Sequence, residues 1–261
     1  EMCIRDRAYT PLHFLPFKSR FTALAKIETR VMLTIIRQLN SRSPYILFMN
    51  CPNIFSQHLL DDLLKHAALS IFDFSDDFVQ LVHTEQGKDF FLCNITKYAQ
   101  KADIVLTVND HLKRKYGPLN PNMHVIRNAT NYHNFDRKHY APVGFLETIK
   151  RTKHPIIGYS GIANASRIDF ALLDDLLRKR PLWQFVFVGP ADSGFTKRYA
   201  QYDNVHLLPP VQYDSLPDYI RYFDVAIVPF AVNEHTMGNN LLKFHDYLAM
   251  GKAVVSTEIC L

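Results

Sequence analysis

The chain has 261 residues, of which 48% are hydrophobic, and this length can hold one large domain or two domains of about 130 residues. Its 30 lysines and arginines against 25 acidic residues give a net charge of +5, and no basic stripe with interleaved aromatic residues predicts nucleic-acid binding. The four cysteines form no CxxC pair, which argues against a disulfide framework or a zinc site and favours a reducing, cytosolic setting. The apolar stretches are too short to cross a bilayer.

Both ends of the chain are unusual. The first residues, "EMCIRDR", resemble a translated transposase mosaic-end sequence, so residues 1–7 are set aside as a sequencing scar. At the other end, "STEICL" follows a strand-like run and no closing element comes after it. We therefore expect an internal fragment of a longer protein.

The N-terminal half alternates helix and strand patterns. A basic amphipathic helix is predicted over 21–39, and it could lie on an anionic membrane surface or cover its own sheet. The stretches that follow are predicted, in chain order, as strand 43–52, helix 56–67, strand 69–74, helix 90–102, strand 103–109, helix 110–117 and strand 123–128.

A polar, aromatic-rich stretch at 129–155 interrupts this alternation and predicts a domain boundary, with one domain over 8–148 and a second over 149–261. The second half is predicted as strand 155–161, helix 167–180, strand 184–190, helix 195–201, strand 204–210, helix 213–223, strand 224–230, helix 240–250 and strand 253–257. Such alternation predicts two doubly wound α/β domains with parallel sheets. Ligands in such folds bind beyond the carboxyl ends of the strands, and the cleft between two domains is the expected site.

The helix predicted at 240–250 is a candidate binding site for a nucleoside diphosphate. A helix N-terminus attracts phosphate, Asn239 and Asn240 are favourable capping residues, and Gly238 allows close approach of a ligand. Lys243 and Asp246 share one face, where the cation would meet the phosphates and the acid the ribose hydroxyls. The alternative is a capped surface helix with a solvated ion pair.

Several segments resemble one family. The segment "NNLLKFHDYLAMGKAVVST" resembles the "PLK-x-x-EYLA-x-GKPVVST" segment of the GT-B glycosyltransferases, in the retaining group called group 1 or family 4. In the N-terminal half, "SIFDFSDDF", "ADIVLTVNDHLKRKY" and "HVIRNATNYHNF" are similar to segments of the same family. The resemblance covers residues 45–261, more closely in the second half.

The resemblance implies a GT-B fold: two Rossmann-like, doubly wound domains facing a cleft, here both truncated. It implies transfer of a sugar from a nucleotide-diphosphate sugar to a glycan or lipid-linked acceptor, with retention of configuration and a role in polysaccharide biosynthesis. No cofactor other than this co-substrate and no metal is expected, and "DFSDD" is not a DxD metal motif. The implied location is cytoplasmic, with a peripheral contact at the inner face of the membrane.

Carried over by motif, Lys243 and the N–H groups of Asn239 and Asn240 would meet the diphosphate, and Asp246 would hold the ribose. Arg167 is the expected second cation, and its alternative role is that of a surface arginine at a helix start. Two glycines, Gly161 and Gly189, complete the expected donor site; Gly161 lets the backbone approach a phosphate or sugar.

The acids depart from the family pattern. The family's Glu-x7-Glu pair would place an acid at Gly238, so Glu234 is the candidate for the sugar-contacting carboxylate. Asp76 and Asp77, past the end of a strand, are candidates for orienting the acceptor hydroxyl. Each of these three acids could instead be a solvated loop residue. Two rival functions follow: a non-catalytic homologue that binds a nucleotide sugar, and another GT-B enzyme such as a sugar-nucleotide epimerase.

Overall fold

The computed structural model describes residues 31, 34, 45–50, 52, 57–82, 84–136 and 139–259. The expected scar at 1–7 and all but two positions of the expected helix at 21–39 lie outside the described residues. The chain divides into two compact units. Unit 1 comprises Glu1–Leu106 and Gly117–His124, and unit 2 comprises Thr107–Tyr116 and Val125–Leu261.

The first sheet has four strands whose order in the sheet is their order in the chain. Its strands are β1 (Tyr45–Met49), β2 (Ala67–Phe74), β3 (Ile104–Thr107) and β4 (Met123–Val125). The helices between them are α1 (Gln57–His66), α2 (Glu85–Lys101) and α3 (Asp110–Tyr116), with 3-10 turns at Phe78–Leu81 and Gly117–Leu119. Strands β1 and β2 pair in parallel, as the alternation predicted.

Helix α2 begins five residues earlier than its apolar pattern suggested. The hydroxyl of Thr84 accepts a hydrogen bond from the N–H of Gly87, which satisfies one of the free donors of the first turn. The first turn consists of polar residues and glycine, so the spacing of apolar residues does not indicate that the helix begins there. Its buried face includes Tyr98, whose ring meets that of Phe72 edge to face at 5.4 Å.

Unit 2 contains a five-stranded parallel sheet in the order β7-β6-β5-β8-β9. Its strands are β5 (Ile156–Ser160), β6 (Gln184–Val188), β7 (Val205–Leu208), β8 (Val225–Val228) and β9 (Ala253–Ser256). The sheet is doubly wound, because the strand order reverses between β5 and β8. All five residues of β5 are buried, as expected for a central parallel strand covered on both faces.

The helices of unit 2 are α4 (Tyr132–Phe135), α5 (Gly144–Arg151), α6 (Phe170–Lys179), α7 (Ser193–Tyr199), α8 (Leu216–Ile220), α9 (Glu234–Met237) and α10 (Leu242–Ala249). Asp169 and Asp192 cap α6 and α7 by accepting the N–H groups of Leu172 and Phe195. A 3-10 turn, Tyr213–Ser215, precedes α8. None of the helices described combines the length and apolarity needed to cross a membrane.

The stretch at 129–155, expected as a domain boundary, contributes to the core of unit 2. It contains α4 and α5, and Phe135, Leu146 and Ile149 are buried in the hydrophobic cluster of the second sheet. The position between residues 148 and 149 lies inside α5 and therefore not in a linker. Contacts also assign α3 to unit 2, although it follows a strand of the first sheet.

The packing of Gly158 on β5 yields a stability prediction. A Cβ at this position would lie 2.0 Å from the ring of Phe223, which is itself buried. We expect Gly158→Ala to lower the free energy of unfolding by about 1–3 kcal/mol in urea denaturation, because the ring has to move within a packed core.

The matched control is Gly144→Ala, where a Cβ would meet nothing within 4 Å. It should be neutral or stabilising by up to about 1 kcal/mol, because alanine restricts the unfolded chain. Adding Phe223→Leu to Gly158→Ala should recover part of the loss. Equal losses in the two single glycine variants would contradict this account of the β5 packing.

Candidate functional site

The candidate site lies at the carboxyl edge of the second sheet, where the strand order reverses between β5 and β8. Gly161 follows β5, and Phe230 lies just beyond the end of β8. The two loops are joined, since Ile168 and Phe230 form a β-bridge and the N–H of Ala231 donates to the carbonyl of Arg167 at 2.8 Å. Loops that meet at such a reversal form the usual ligand site of a doubly wound sheet.

Two glycines at this edge allow neighbouring groups to come close to the backbone. Gly161 and Gly189 have φ values of 127° and 136°, which side chains rarely adopt. A Cβ on Gly161 would lie 2.8 Å from Nζ of Lys243, and one on Gly189 would lie 2.6 Å from the carbonyl oxygen of Gly161. Glycine at 161 therefore makes room for the lysine, and glycine at 189 makes room for the loop of Gly161.

The ammonium group of Lys243 lies against side chains from the central strand β5 and from the loop that follows β8. It donates to the hydroxyl of Tyr159 at 3.2 Å and lies 4.7 Å and 4.8 Å from the ring centres of Tyr159 and Phe230. Burial, followed by the positive charge of Arg167, lowers the pKa of Lys243 to about 7, while Asp246 opposes this shift. The positive charge of Arg167 thus acts unfavourably on the Lys243 ammonium, and an anion close to both would relieve the repulsion.

Arg167 lies in the turn between β5 and α6 and not at the start of the helix. The turn is closed by Asn164, whose carbonyl and side-chain oxygens both accept the N–H of Arg167 at 3.2 Å. Helix α6 begins three residues later and is capped by Asp169. The alternative of a surface arginine at a helix start therefore does not fit its position.

Asp246, on the same helix as Lys243, has partners that local sequence patterns do not reveal. The hydroxyls of Thr130 and Tyr213 both donate to its Oδ1, the latter at 2.9 Å. Burial raises the pKa of the Asp246 carboxyl, and the two hydroxyls oppose that shift. The ring of Phe135 packs edge to face against Tyr213 at 5.4 Å and supports its position.

The start of α10 differs from the expected one. The helix begins at Leu242, and Leu241 occupies the N-cap position without a side-chain capping bond. The prediction that Asn239 and Asn240 cap it is wrong, because Oδ1 of Asn240 instead accepts the backbone N–H of Asn128 at 2.8 Å. The N–H of Asn239 donates to the carbonyl of Thr236 at 3.3 Å.

Glu234 lies in the first turn of α9 and not in a loop. Its Oε2 is 3.5 Å from Nε2 of His111 and 3.6 Å from Nζ of Lys115, so the basic side chains described beside it lie on α3. Gly238, where the family pattern expects an acid, is the residue that ends α9.

Asp76 and Asp77 belong to unit 1, whereas the other expected site residues belong to unit 2. They follow β2, and the N–H of Asp77 donates to Oδ1 of Asp76 at 2.9 Å. Asp77 is only 1% exposed, which excludes the solvated-loop alternative for this residue. Burial also raises the pKa of the neighbouring Asp73 carboxyl. Within the described parts of the chain, no group of histidine, cysteine and acidic residues is arranged to hold a metal ion.

Sequence comparison connects this site to a family. Residues 155–260 match the family described as "Glycosyl transferases group 1", which confirms the resemblance expected from the motifs. TuaH of Bacillus subtilis (strain 168), named as a teichuronic acid biosynthesis glycosyltransferase, is 24% identical over 168 residues, which cover 61% of this chain and 41% of TuaH.

Structural comparison confirms the GT-B type of α/β fold. The sucrose-phosphate synthase of Thermosynechococcus elongatus superposes with a TM-score of 0.61 at 16% identity, covering 96% of this chain and 64% of the synthase. HepE of Anabaena, solved in complex with UDP and glucose, has a TM-score of 0.61 at 12% identity, covering 94% of this chain and 66% of HepE. The chain thus spans about two fifths of the curated relative and about two thirds of these solved structures.

Because the Lys243 ammonium is largely removed from water, we expect its replacement by an apolar group to increase stability. We expect Lys243→Met to raise the free energy of unfolding at pH 7 by about 1–3 kcal/mol, less than the pKa shift implies because part of the side chain reaches solvent. The exposed Lys197, changed to Met, is the control and should stay within about 0.5 kcal/mol.

The pH dependence of stability tests the same point. Because the pKa of Lys243 is lowered on folding, the unfolded chain binds more protons between pH 7 and the ordinary lysine pKa of 10.5. Stability should therefore gain a contribution from Lys243 as pH rises through this window, and Lys243→Met should lose that contribution. Urea denaturation at pH 7 and pH 9 measures it, and identical pH dependence in the two proteins would show that the ammonium is well solvated.

Proposed function

We propose that this chain, similar to the group 1 glycosyltransferases over residues 155–260, binds a nucleotide-diphosphate sugar at the Lys243 site and serves in transfer of its sugar. The observation that carries the proposal is the position of the Lys243 ammonium, which contacts Tyr159 and Phe230 where the strand order reverses and is influenced by the positive charge of Arg167. Such a site favours an anion, because only an anion stabilises both cations at once. Binding of UDP by HepE, which shares the fold, supports a nucleotide ligand.

The proposed chemistry needs positive charge at the diphosphate. As the bond between sugar and diphosphate breaks, the leaving group gains negative charge, and fixed cations stabilise it in the transition state. Lys243 and Arg167 take this role. The Lys243 ammonium is restrained by Tyr159 and by two aromatic rings, so little reorganisation accompanies the charge development.

Asp246 is proposed to bind the ribose of the donor. Its Oδ1 accepts hydrogen bonds from Thr130 and Tyr213, which orient the carboxylate, so Oδ2 is the oxygen proposed to meet the ribose hydroxyls. Tyr213 is 44% exposed and borders the same carboxylate, so it is proposed to contact the nucleoside as well.

The finer features of the reaction rest on the family resemblance. They are retention of configuration, independence from metal, no further cofactor, and a glycan or lipid-linked acceptor in polysaccharide biosynthesis. For the acceptor, Asp76 and Asp77 of unit 1 remain the proposed residues, with Asp77 fixed by burial. The teichuronic acid assignment of TuaH supports a glycan product.

A second candidate function is binding of a nucleotide sugar without transfer. Two observations favour it: Gly238 occupies the place of the family's first acid, and the carboxylate of Glu234 is engaged by Lys115 and His111. Incubation with UDP- and GDP-sugars separates the two functions. Acceptor-dependent release of nucleotide supports transfer, whereas nucleotide binding without any turnover supports the binding function.

Removal of the Lys243 ammonium should weaken nucleotide binding. We expect Lys243→Ala to reduce the affinity for UDP or GDP by about 1–3 kcal/mol in calorimetry, the scale of a lost hydrogen bond to a charged group. Lys197→Ala, on the exposed surface of α7, is the control and should bind as the unsubstituted chain does. If Lys243→Ala binds equally well, the diphosphate is bound elsewhere.

Binding should also be coupled to protonation of Lys243. A bound diphosphate stabilises the charged ammonium and raises its pKa from about 7, so at pH 8 the complex should take up close to one proton. At this pH the second ionisation of a phosphate, with a pKa of about 6, is complete. Affinity should fall as pH rises above 7, by up to about tenfold per pH unit.

Calorimetry in buffers with different ionisation enthalpies measures this proton uptake. In Lys243→Met the uptake should disappear, whereas in Lys197→Met it should persist. Nucleotide binding at pH 8 without proton uptake in the unsubstituted chain would contradict the proposed contact between the diphosphate and Lys243.

A further inference from the structure

Two asparagines that the sequence motifs left without a role hold the residues just before α10. These residues, 237–240, connect the end of α9 to the helix that carries Lys243 and Asp246. Asn109 precedes α3, and Asn128 follows β4. Both asparagines belong to unit 2 by their contacts, although they lie more than a hundred residues earlier in the chain.

Asn109 is fixed on both sides of its amide. Its Oδ1 accepts the N–H of Leu112 at 2.9 Å, which caps α3. Its Nδ2 donates to the carbonyl of Met237 at 3.2 Å and to that of Asn239 at 3.1 Å. The residue is 2% exposed, so these bonds form away from water, and losing one would leave a buried polar group unpaired.

Asn128 makes a reciprocal pair with Asn240. Its Nδ2 donates to the carbonyl of Asn240 at 2.8 Å, and its backbone N–H donates to Oδ1 of Asn240 at 2.8 Å. Two bonds between the same residues fix both the position and the rotation of Asn240. The carbonyls of Asn239 and Asn240 are therefore each held by a different asparagine.

Fixed carbonyls determine where the next N–H groups point. In a trans peptide the C=O of one residue and the N–H of the following residue point in opposite directions, and the described chain has no cis peptide bond. With the carbonyls of Asn239 and Asn240 turned toward the asparagines, the N–H groups of Asn240 and Leu241 point away from them. The N–H of Asn239 already donates to Thr236.

We propose that Asn109 and Asn128 are positioning residues for donor binding: they hold the carbonyls of Asn239 and Asn240 so that the N–H groups of Asn240 and Leu241 face the donor diphosphate. This inference rests on the proposed function. Donors that are oriented before the ligand arrives bind an anion more tightly, because no ordering cost is incurred on binding. The pair of donors is thus moved one residue along the chain from the expected Asn239 and Asn240.

The first test uses the unsubstituted chain and inorganic pyrophosphate as the probe. In 15N-labelled protein, the amide proton signals of Asn240 and Leu241 should move downfield on addition of pyrophosphate, as expected when an N–H donates to an anion. The amide signal of Asn239 should shift less, because its N–H donates within the protein. Saturable pyrophosphate binding that leaves the signals of Asn240 and Leu241 unmoved would overturn the inference without any substitution.

The second test uses matched asparagine variants. Asn109→Ala and Asn128→Ala should each weaken binding of UDP and of pyrophosphate by the same factor, about tenfold, because both ligands lose the same donors. Asn204→Ala is the control, since Nδ2 of Asn204 also donates to two carbonyls, those of Pro181 and Trp183, at 3.2 and 2.9 Å. That variant loses the same type of bonds before β7, and its affinity should not change.

The outcomes separate this inference from the proposed function. Absence of UDP, GDP and pyrophosphate binding in the unsubstituted chain overturns both. Binding that depends on Lys243 but is equally tight in Asn109→Ala, Asn128→Ala and Asn204→Ala overturns the positioning role alone. A tenfold loss in the first two variants only, together with the amide shifts, supports it.

Discussion

The partial removal of a lysine ammonium from water, against the side chains of Tyr159 and Phe230, is the constraint on which the proposed site of unit 2 depends. A cation removed from water is unfavourable unless other groups replace its hydration. Here the replacements are one tyrosine hydroxyl and two aromatic ring faces, and they leave the pKa of Lys243 at about 7. The ammonium thus lacks part of its hydration in the folded chain, and the anion proposed to bind there would compensate for that loss.

Helix α10 places its functional residues through its attachment to the central strand. Tyr247 is fully buried, and its hydroxyl accepts the N–H of Ser160 at 2.7 Å at the end of β5. Residues three and four positions apart lie on the same side of a helix. Lys243 lies four residues before Tyr247, so fixing Tyr247 against β5 also fixes Lys243 beside Gly161. One buried hydroxyl thus links the central strand to the turn of α10 that carries Lys243.

Sequence patterns predicted those features of the fold that depend on residues close together in the chain. Buried strands and the helices between them were recognised because their apolar periodicity is local, and the spacing of Lys243 and Asp246 placed both on one helix. The partners of Asp246 were missed because Thr130 is 116 residues away and hydroxyl residues carry no periodic signal. The capping preference of asparagine gave a wrong prediction at Asn240. Its side-chain oxygen accepts the backbone N–H of Asn128, which is distant in the sequence, and therefore does not cap the helix. Helix α5 was predictable from the sequence, since Leu146 and Ile149 are apolar and three residues apart.

Residues on both sides of the expected domain boundary contribute to the proposed donor site. Helix α3 and the residue before it contact the segment at 234–240 twice. Lys115 and His111 lie within 3.6 Å of Glu234, and Asn109 donates to the carbonyls of Met237 and Asn239. Thr130 adds a hydrogen bond to Asp246. Some of the residues that orient the proposed donor site, namely Asn109, Asn128 and Thr130, therefore lie before residue 149, although its cations and its sheet lie after it. The boundary expected where the alternation of strands and helices is interrupted falls between these residues and the second sheet. Alternation indicates which strands pair and not which side chains hold a loop.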